Sequence, residues 1–402
     1  MDRLKVKISF SGPPLEVGEM ILRDRKIFFQ YKAEFLEQGM SLSPLHLRQS
    51  MDVQQPATEA FDGLFGVFGD SLPDGWGRLI LDRALTSKGI RLENIDVLDR
   101  LAFVGENGPG ALSYHPVREE TTLDSVQIDL DAIVRASQHI LAGDSSEIVD
   151  DLVQLGGSSG GARPKIVVGY HPAKDQLIAD TSSLPEGYEH WIIKFPATVD
   201  PEDIALTELA YHKMALAAGL EMSICRLFTG KSGRTYFGTK RFDREGNNRL
   251  HLHSAAGLMH DNFRLTNMDY GHVMDAAFRL EKDRLALEKV LRLAAFNVFS
   301  HNRDDHSKNI SFLMDGTGNW KLAPAYDLTF SQSSHGYHSM TVAGESKSPG
   351  VAHLLELAHN FSIKKPERII EQVRNTVNEW SDFANEAGVP GATAKRINKI
   401  LN

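Results

Sequence analysis

The residues whose types and spacing best suit catalysis lie in the second half of the chain. Asp304 is followed five positions later by Asn309, and Asp327 comes after a short predicted hairpin. Kinases use this order for phosphoryl transfer: the first Asp orients the attacking hydroxyl and accepts its proton, and the Asn and the last Asp supply hard oxygen ligands to Mg²⁺. Any one of these residues could simply cap a helix or form a turn. The ordered set is much harder to obtain by chance.

A lysine within an apolar strand indicates the same chemistry. Lys194 lies among Ile192, Ile193 and Phe195, which we expect to be buried. Because an isolated buried ammonium group is costly, Lys194 needs an anionic partner. A nucleotide phosphate is one candidate, and Glu208 on the following predicted helix is another. A third interpretation is a lysine that extends from the strand end to solvent.

A segment rich in glycine and serine covers residues 156–163. Its backbone N–H groups could bind phosphates. It matches neither G-x-G-x-x-G nor G-x-x-x-x-G-K-[ST], so taken alone it is more typical of a flexible loop. The triplet Gly230-Lys231-Ser232 is not the end of a phosphate-binding loop either, because Cys225 stands where that loop needs a glycine. We predict a hairpin turn over 230–233.

Two histidines, His251 and His253, alternate in a strand-like run, and His260 follows further along. Side chains at positions i and i+2 of a strand share a face and could bind a metal. No third ligand with convincing spacing follows. We therefore expect substrate contact or a structural role and assign no metal site to these histidines.

The elements that must position these residues change in character along the chain. Apolar periodicity of two predicts strands over 4–10, 27–31, 166–168, 191–195 and 234–239. Helical spacing predicts helices over 75–88, 128–141, 147–155 and 201–218. After about residue 241 the chain becomes helix-rich, with helices over 268–280, 284–300, 350–360 and 366–386 and one hairpin, 310–314 with 320–323. A strand-rich segment before a helix-rich one indicates two unlike lobes.

Length and composition restrict the class of protein. The 402 residues exceed the roughly 250–300 at which a single core stops growing, so we expect several domains. The formal charge of −9 argues against non-specific binding to nucleic acids. The single cysteine, Cys225, excludes an internal disulfide framework and suits a reducing compartment. No apolar run approaches the roughly 20 residues that span a bilayer, and the N-terminus lacks a signal-peptide pattern. We expect a soluble, cytoplasmic protein.

The sequence resembles the HipA-type serine/threonine kinases, the toxins of bacterial type II toxin–antitoxin pairs. The resemblance covers nearly the whole chain through motifs at 71–78, 104–112, 158–165, 192–195, 241–244, 304–309 and 325–328. It implies an α+β, two-lobed protein-kinase-like fold that is distantly related to lipid kinases. An N-terminal α/β subdomain (1–120) would pack on a small lobe that contains the Gly/Ser loop (121–240). A helical large lobe (241–402) would carry the catalytic and metal-binding loops.

The resemblance also implies two cofactors, ATP and Mg²⁺, and a role for each matching residue. Asp304 would be the catalytic base, and Lys308 would act near the γ-phosphate. Asn309 and Asp327 would bind Mg²⁺. The residues implied to bind the nucleotide are Lys194, Ser158, Ser159, Gly160, Gly161, Lys165, Lys240, Phe242 and His306, with 240–242 as the hinge whose backbone hydrogen-bonds adenine. Ser158 matches the autophosphorylated serine of the family, and Ser159 is the alternative.

Three positions depart from the family's pattern. Ser159 stands where an aliphatic residue is frequent, so the modified serine is ambiguous. Lys240 stands where some relatives have Glu, which leaves only a backbone role at the hinge. Asp305 stands where Gly is common, and this extra carboxylate could add to metal binding.

The leading interpretation is an ATP- and Mg²⁺-dependent serine/threonine protein kinase that acts as a toxin. The resemblance implies a translation component such as an aminoacyl-tRNA synthetase as substrate, and a helix-turn-helix antitoxin as partner. Operator DNA would be contacted mainly through that antitoxin, and no membrane is involved. A small-molecule phosphotransferase is an alternative, because antibiotic kinases share the Asp-x₄-Asn pattern. Another is a non-catalytic co-repressor that acts with a DNA-binding antitoxin. Four intact residues argue against a dead kinase: Asp304, Asn309, Asp327 and Lys194.

Overall fold

The structure, a computed structural model, describes residues 1–57, 60–118, 128–143, 149–156, 161–179, 183–265, 268–333 and 336–401. Within these ranges, no helix is both long enough and apolar enough to cross a membrane.

The chain divides into two compact units, which we call unit 1 and unit 2. Unit 1 comprises Met1–Glu202, Arg226–His253 and Asp315–Gly318. Unit 2 comprises Asp203–Cys225, Ser254–Met314 and Asn319–Asn402. The three-part division expected from the sequence, 1–120, 121–240 and 241–402, stays a prediction.

Strands dominate unit 1. Those lying wholly or largely in it are β1 (Arg3–Ile8), β2 (Leu15–Arg23), β3 (Lys26–Tyr31), β4 (Leu112–His115), β5 (Lys165–His171), β6 (Gln176–Ala179), β7 (Glu189–Lys194), β8 (Cys225–Thr229), β9 (Thr235–Lys240), β10 (Arg244–Glu245), β11 (Asn248–Arg249) and β12 (His251–Ser254). One sheet has the order β3-β2-β1-β4, and another has the order β6-β5-β7-β9-β8. The helices of this unit are α1 (Ala33–Leu36), α2 (Gly66–Gly69), α3 (Gly75–Ser87), α4 (Val97–Val104), α5 (Leu130–Ala142) and α6 (Val149–Gly156).

The first sheet follows from the alternation in β1. Leu4 and Val6 are completely buried, whereas Lys5 between them is exposed. The strand pairs in antiparallel fashion with β2 on one side and with β4 on the other. A half-buried strand with one apolar face is what this alternating pattern predicts, so the predicted strand is confirmed.

The second sheet is covered by helices and has an aromatic core. In β5 the residues from Lys165 to Tyr170 are all buried. The ring of Tyr170 packs edge-to-face against Trp191 of β7 at 5.6 Å and against Phe228 of β8 at 5.0 Å. Residues of α3, α5 and α6, among them Trp76, belong to the same apolar cluster. The helices therefore cover the sheet whose strand ends carry the three predicted nucleotide-binding lysines, Lys165, Lys194 and Lys240.

Unit 2 is mainly helical. Its helices are α7 (Ile204–Ala217), α8 (Ala255–Met259), α9 (Tyr270–Glu281), α10 (Leu285–Phe299), α11 (Val351–Asn360), α12 (Pro366–Asn378), α13 (Trp380–Glu386) and α14 (Gly391–Leu401), and its hairpin consists of β13 (Ser311–Met314) and β14 (Trp320–Leu322). The core of the unit surrounds α10, in which Leu291, Ala294 and Phe296 are completely buried. The hydroxyl of Tyr211 donates to the carbonyl oxygen of Ser300 at 2.6 Å, which fixes the end of α10.

The predicted helices and strands named above are confirmed with small shifts at their ends, with one exception. The helix predicted over 366–386 is wrong, because Glu379 ends α12 and begins α13. This break lets the side chain of Trp380 enter the core, where its ring packs 5.2 Å from Tyr211. Its indole N–H donates to the carbonyl oxygen of Ala394 at 3.1 Å. The predicted hairpin turn over 230–233 is confirmed by a hydrogen bond from Gly230 to Arg234.

Candidate active site

The loop that follows α10 presents Asp304 to solvent. The backbone of His301 enters the left-handed region at φ 52° and ends the helical course. Asn302 and Asp305, on either side, are each only 2% exposed, whereas the carboxylate of Asp304 is 62% exposed. The side-chain amide of Asn309 donates to the backbone carbonyl of Asp304 at 2.8 Å. The loop thus holds one exposed carboxylate between buried neighbours, with Asn309 beside it.

His306 and Lys308 of the same loop both contact an aromatic ring. The ring centroid of Phe263 lies 5.4 Å from that of His306 and 5.1 Å from Nζ of Lys308. The second distance is within the range of a cation–π interaction. Nε2 of His306 lies 3.8 Å from a carboxylate oxygen of Asp304. Unit 2 therefore brings together three residues that the sequence analysis assigned to catalysis or nucleotide binding.

Asp327 follows the hairpin, and its neighbour Tyr326 connects it to the preceding loop. The hydroxyl of Tyr326 donates to the carbonyl oxygen of Lys308 at 2.7 Å and also lies 2.7 Å from the hydroxyl of Ser311. Lys308 directly precedes Asn309, and Tyr326 directly precedes Asp327. The hydrogen bond between Tyr326 and Lys308 therefore links the neighbours of the two predicted metal ligands. Asp327 itself has φ 54°, a conformation that Asp adopts more readily than most residues.

Backbone hydrogen bonds hold the segment after Asp327 against the same loop. The N–H of Arg303 donates to the carbonyl oxygen of Ser331 at 3.2 Å. The N–H of Ser331 in turn donates to His301 at 3.1 Å. The segment just before Asp304 and the segment just after Asp327 are therefore hydrogen-bonded to each other inside unit 2.

The donors in this region fit a magnesium ion. Among the described residues, no group of three or more His, Cys, Asp and Glu side chains could hold a metal. Mg²⁺ is usually bound by one or two protein carboxylates together with water and substrate phosphates, so it does not need three such side chains. Asn309 donates through its amide nitrogen, which leaves the amide oxygen for a cation. Asp327 adds a partly exposed carboxylate, and both groups are hard oxygen donors.

Asp305 does not match the expectation that it adds to metal binding. One oxygen accepts hydrogen bonds from the Tyr270 hydroxyl at 2.9 Å and from Nδ1 of His338 at 3.0 Å. The other oxygen accepts from the backbone N–H of Ser339 at 2.8 Å. A carboxylate that is almost completely buried and engaged at both oxygens is part of the structure that supports the loop.

Unit 1 pairs two of the predicted nucleotide-binding lysines. Lys165 begins β5, Lys194 ends β7, and the two residues are partners in the antiparallel register. Lys165 is 8% exposed, and Nζ of Lys194 lies 5.5 Å from the ring centroid of Phe237. Side chains that are directly opposite in an antiparallel pair share one face, where like charges repel. The pair concentrates positive charge at one end of the sheet, which favours anionic groups such as phosphates.

Gly161 contacts both Lys165 and the motif at 71–78. A Cβ atom at Gly161 would lie 2.6 Å from Nζ of Lys165, and φ is +88°, so a side chain here would be strained and would displace the ammonium group. Its N–H donates to the carboxylate of Asp74, and its carbonyl oxygen accepts from the N–H of Trp76. The other predicted members of this loop, Ser158, Ser159 and Gly160, lie outside the described residues.

The predicted hinge over 240–242 is held on the neighbouring strand. Nζ of Lys240 forms an ion pair with Glu189 of β7 at 2.6 Å. The N–H of Arg241 donates to the carbonyl oxygen of His190 at 2.9 Å. Phe242 is partly buried. These contacts fix the backbone of the predicted hinge. The resemblance implies that this backbone hydrogen-bonds adenine.

The next residues of the hinge motif bind the glycine-rich loop at 104–110. Asp243 accepts two hydrogen bonds from Arg241 and one from Arg244, each between 2.7 and 2.9 Å. It also accepts the N–H of Gly110 at 2.8 Å. Burial alone would raise the pKa of Asp243, but the two guanidinium groups outweigh it and hold the pKa well below its usual range. Two motifs that are far apart in the sequence thus form one buried charged cluster.

The surroundings of the two histidines in β12 indicate a structural role. His251 and His253 are completely buried. His253 contacts Asp70 at 2.7 Å through Nδ1 and the hydroxyl of Ser43 at 3.0 Å through Nε2. Burial, together with the neighbouring His253, lowers the pKa of His251 to about 3. These contacts favour the structural alternative over substrate contact.

Comparison with known protein families agrees with the motifs. The HipA N-terminal domain matches residues 12–115, and the HipA-like C-terminal domain matches residues 157–380. The chain belongs to the HipA family. The resemblance drawn from the sequence is therefore confirmed, and the C-terminal match contains Lys194, Asp304, Asn309 and Asp327.

Two known proteins illustrate how far the similarity of this chain extends. Y4mE of Sinorhizobium fredii (strain NBRC 101917 / NGR234), a protein named as a candidate kinase, is 26% identical over 358 residues, which cover 80% of this chain and 72% of that protein. A chain in the Shewanella oneidensis MR-1 toxin–antitoxin complex of HipA, HipB and operator DNA aligns with a TM-score of 0.72 and 16% identity. The alignment covers 99% of this chain and 95% of that chain. The predicted mixed α and β architecture is confirmed, whereas the kinase-like lobes and the relation to lipid kinases stay predictions.

Sequence reasoning missed the residues that support this HipA-family loop. Tyr270 and His338 bind Asp305 from positions 35 and 33 residues away. Phe263, which contacts Lys308, also lacks any motif of its own. No periodicity or spacing within one sequence signals such contacts, because they depend on how α9 and the segment after Asp327 pack around the loop.

Proposed function

We propose that this protein is an ATP- and Mg²⁺-dependent serine/threonine protein kinase and the toxin of a toxin–antitoxin pair. The observation that carries the proposal is the loop of unit 2, with its exposed Asp304 and with Lys308, the residue before Asn309, hydrogen-bonded to Tyr326, the residue before Asp327. Membership of the HipA family supports it, as does the relative named as a candidate kinase.

In this proposal the residues that the sequence analysis assigned to the nucleotide and to the metal keep those roles. Asn309 and Asp327 would hold Mg²⁺, and Lys165 and Lys194 would bind phosphates. Gly161 and His306, together with Ser158, Ser159 and Gly160, would also line the nucleotide site. The backbone from Lys240 to Phe242 would hydrogen-bond adenine. When bound, Mg-ATP supplies the transferable phosphoryl group and the cation that offsets its charge.

The side chains of the loop would then act on the acceptor hydroxyl. Asp304 is well exposed, so a serine or threonine of another protein can reach it. Its carboxylate would orient that hydroxyl and accept its proton as the oxygen attacks. Lys308, held against the ring of Phe263, would stabilise negative charge on the phosphate that is transferred.

The proposed partners follow the assembly of the structural relative. That relative is part of a complex with HipB and operator DNA. We propose a helix-turn-helix antitoxin as the partner of this chain. The antitoxin would make most of the DNA contacts, because a formal charge of −9 disfavours contact with DNA phosphates. The proposed protein substrate is a translation component such as an aminoacyl-tRNA synthetase.

The test is transfer from γ-labelled ATP to the proteins of a cell lysate. Asp304→Asn should lower the rate by roughly 10²–10⁴-fold, because the general base is lost. ATP affinity should stay within about twofold of wild type, because Asp304 is not proposed to bind the nucleotide. Asp382→Asn, an exposed change on α13, is the matched control and should leave transfer unchanged.

Two results would count against the proposal. Full transfer by Asp304→Asn would exclude Asp304 as base. Label that enters only small molecules, in lysate fractions without protein, would favour the alternative of a small-molecule phosphotransferase.

A further inference from the structure

Asp304 lies between two residues that are both bound to Ser339. The backbone N–H of Ser339 donates to a carboxylate oxygen of Asp305 at 2.8 Å. Its hydroxyl donates to the carbonyl oxygen of Arg303 at 3.0 Å. The residues immediately before and after the exposed carboxylate are therefore fixed to one point of unit 2.

The other oxygen of Asp305 extends this attachment to two helices. It accepts the hydroxyl of Tyr270, the first residue of α9, at 2.9 Å. The same hydroxyl accepts a hydrogen bond from the amide of Asn297 in α10 at 2.8 Å. Nδ1 of His338 contacts that oxygen of Asp305 at 3.0 Å. Asp305, Tyr270, Asn297 and His338 are all 3% exposed or less, so water does not compete for these bonds.

The chain also fixes the residue two positions before Asp304. The amide nitrogen of Asn302 donates to the side-chain oxygen of Asn297 at 2.9 Å, and its backbone N–H donates to the carbonyl oxygen of Asn297 at 3.0 Å. Asn297 thus contacts both Asn302 and Tyr270. The network surrounds the Asp304 backbone from both sides and leaves its side chain in solvent.

We infer that Asp305 is a positioning residue for Asp304. The inference rests on the proposed function, in which Asp304 is the base. Hydrogen bonds to a charged acceptor are roughly twice as strong as those between neutral groups, so the carboxylate holds Tyr270 and Ser339 more firmly than a neutral side chain would. Asp305 takes no part in the reaction itself, because its oxygens are buried and occupied. Its effect on catalysis is to keep the Asp304 backbone in one place.

The first test separates positioning from binding. Asp305→Asn keeps the size of the side chain but replaces one acceptor with a donor, which then faces another donor. We expect kcat to fall at least 10-fold, since small misplacements of a catalytic group cost one to two orders of magnitude. The KM for ATP and the ATP dissociation constant should stay within about twofold. An unchanged kcat in a folded Asp305→Asn protein would overturn the inference.

Asp131→Asn is the matched control. Asp131 of unit 1 likewise accepts a backbone N–H, from Ser232 at 2.7 Å, and a tyrosine hydroxyl, from Tyr236 at 2.9 Å. The change should lower the melting temperature as Asp305→Asn does but leave kcat within about twofold. An equal loss of kcat in both variants would mean that Asp305 acts only through global stability.

Tyr270→Phe keeps the inference falsifiable should Asp305→Asn fail to fold. It removes a hydroxyl that donates to the Asp305 carboxylate, and we expect kcat to fall about threefold with ATP affinity unchanged. An unchanged kcat in Tyr270→Phe, with Asp305→Asn unfolded, would also reject the inference.

Hydrogen–deuterium exchange provides a readout that does not require activity. In the nucleotide-free protein, peptides covering 300–306 should exchange at least fivefold faster in Asp305→Asn and at the wild-type rate in Asp131→Asn. If wild type transfers no phosphate, the proposed function fails, and exchange still decides whether Asp305 fixes the loop. If Asp304→Asn is inactive while Asp305→Asn matches wild type in kcat and exchange, only the positioning role fails.

Discussion

The hydroxyl of Tyr326 donates a hydrogen bond to the carbonyl oxygen of Lys308, 18 residues earlier, at 2.7 Å. The chain between them forms β13 and β14, and this bond closes the hairpin at its base. Asn309 follows Lys308, and Asp327 follows Tyr326. A single tyrosine therefore connects the two segments that carry the proposed metal ligands.

Tyr326→Phe tests this connection. Loss of the hydroxyl removes the bonds to Lys308 and Ser311, so the free energy of unfolding should fall by about 1 kcal/mol. The affinity for Mg-ATP should fall about fivefold, because the segments that carry Asn309 and Asp327 lose the bond that links them through Lys308 and Tyr326. Titration calorimetry measures the affinity, and urea unfolding measures the stability. Tyr337→Phe, at an exposed tyrosine of the same unit, should change neither value, and unchanged Mg-ATP affinity in Tyr326→Phe would contradict the role.

Asp327→Asn tests the proposed metal ligand with little disturbance of the backbone. Asn tolerates the left-handed conformation of Asp327 about as well as Asp does, so the turn should persist. The charge that binds Mg²⁺ is lost, and ATP affinity should become the same with Mg²⁺ as with EDTA. Wild type should bind ATP more tightly with Mg²⁺ and show the larger thermal shift. If the variant keeps the Mg²⁺ dependence of wild type, Asp327 is not a ligand.

Lys194→Met tests the phosphate contact of unit 1. We expect ATP affinity to fall about 10-fold, which corresponds to roughly 1.4 kcal/mol. Lys174→Met, at an exposed lysine in the turn after β5, is the control and should bind ATP like wild type. Equal affinities for the two variants would remove Lys194 from the nucleotide site.

Residue periodicity in the sequence predicted most of the helices and strands, because each depends on neighbouring residues. The alternation of Leu4 and Val6 predicted β1, but β2 was missed, because a register shift after Val6 leaves both Val17 and Gly18 buried and interrupts the period of two. The order from Asp304 to Asp327 predicted the polar residues of the candidate site. The supporting bonds from Tyr270 and Ser339 join positions more than 30 residues apart, and only the packed structure reveals them.

Asp243 should make the free energy of unfolding of the protein depend measurably on pH in the acidic range. Its pKa is held well below the unfolded value of about 3.9, so its contribution to stability is present above that pH and is lost as the pH falls toward the folded pKa. Asp243→Asn should lower the free energy of unfolding by about 3–5 kcal/mol at pH 6, since it leaves Arg241 and Arg244 buried without their anion. The gap between wild type and variant should narrow by about 1 kcal/mol at pH 3. Urea unfolding at both pH values measures it, and a gap independent of pH would contradict the assignment.

The Gly/Ser loop carries a prediction that rests on its sequence and on the proposed function. Residues 156–162 include four glycines and the two serines Ser158 and Ser159. A phosphoserine there would add about −1.5 to −2 charges beside the proposed phosphate site, where it would compete with the phosphates of ATP. We therefore expect autophosphorylation at Ser158, or at Ser159 as the alternative, to weaken ATP binding and switch the kinase off. Such a modification would limit the proposed kinase activity.

Mass spectrometry after incubation with Mg-ATP locates the phosphate, and nucleotide titration of the separated forms measures its effect. Ser158→Ala and Ser159→Ala identify the modified serine, because only one of the two changes should abolish the modification. Asp304→Asn is the control without catalysis and should stay unmodified. Active protein without phosphate on either serine, or a modified form that binds ATP as tightly as the unmodified one, would show that these serines do not regulate the enzyme.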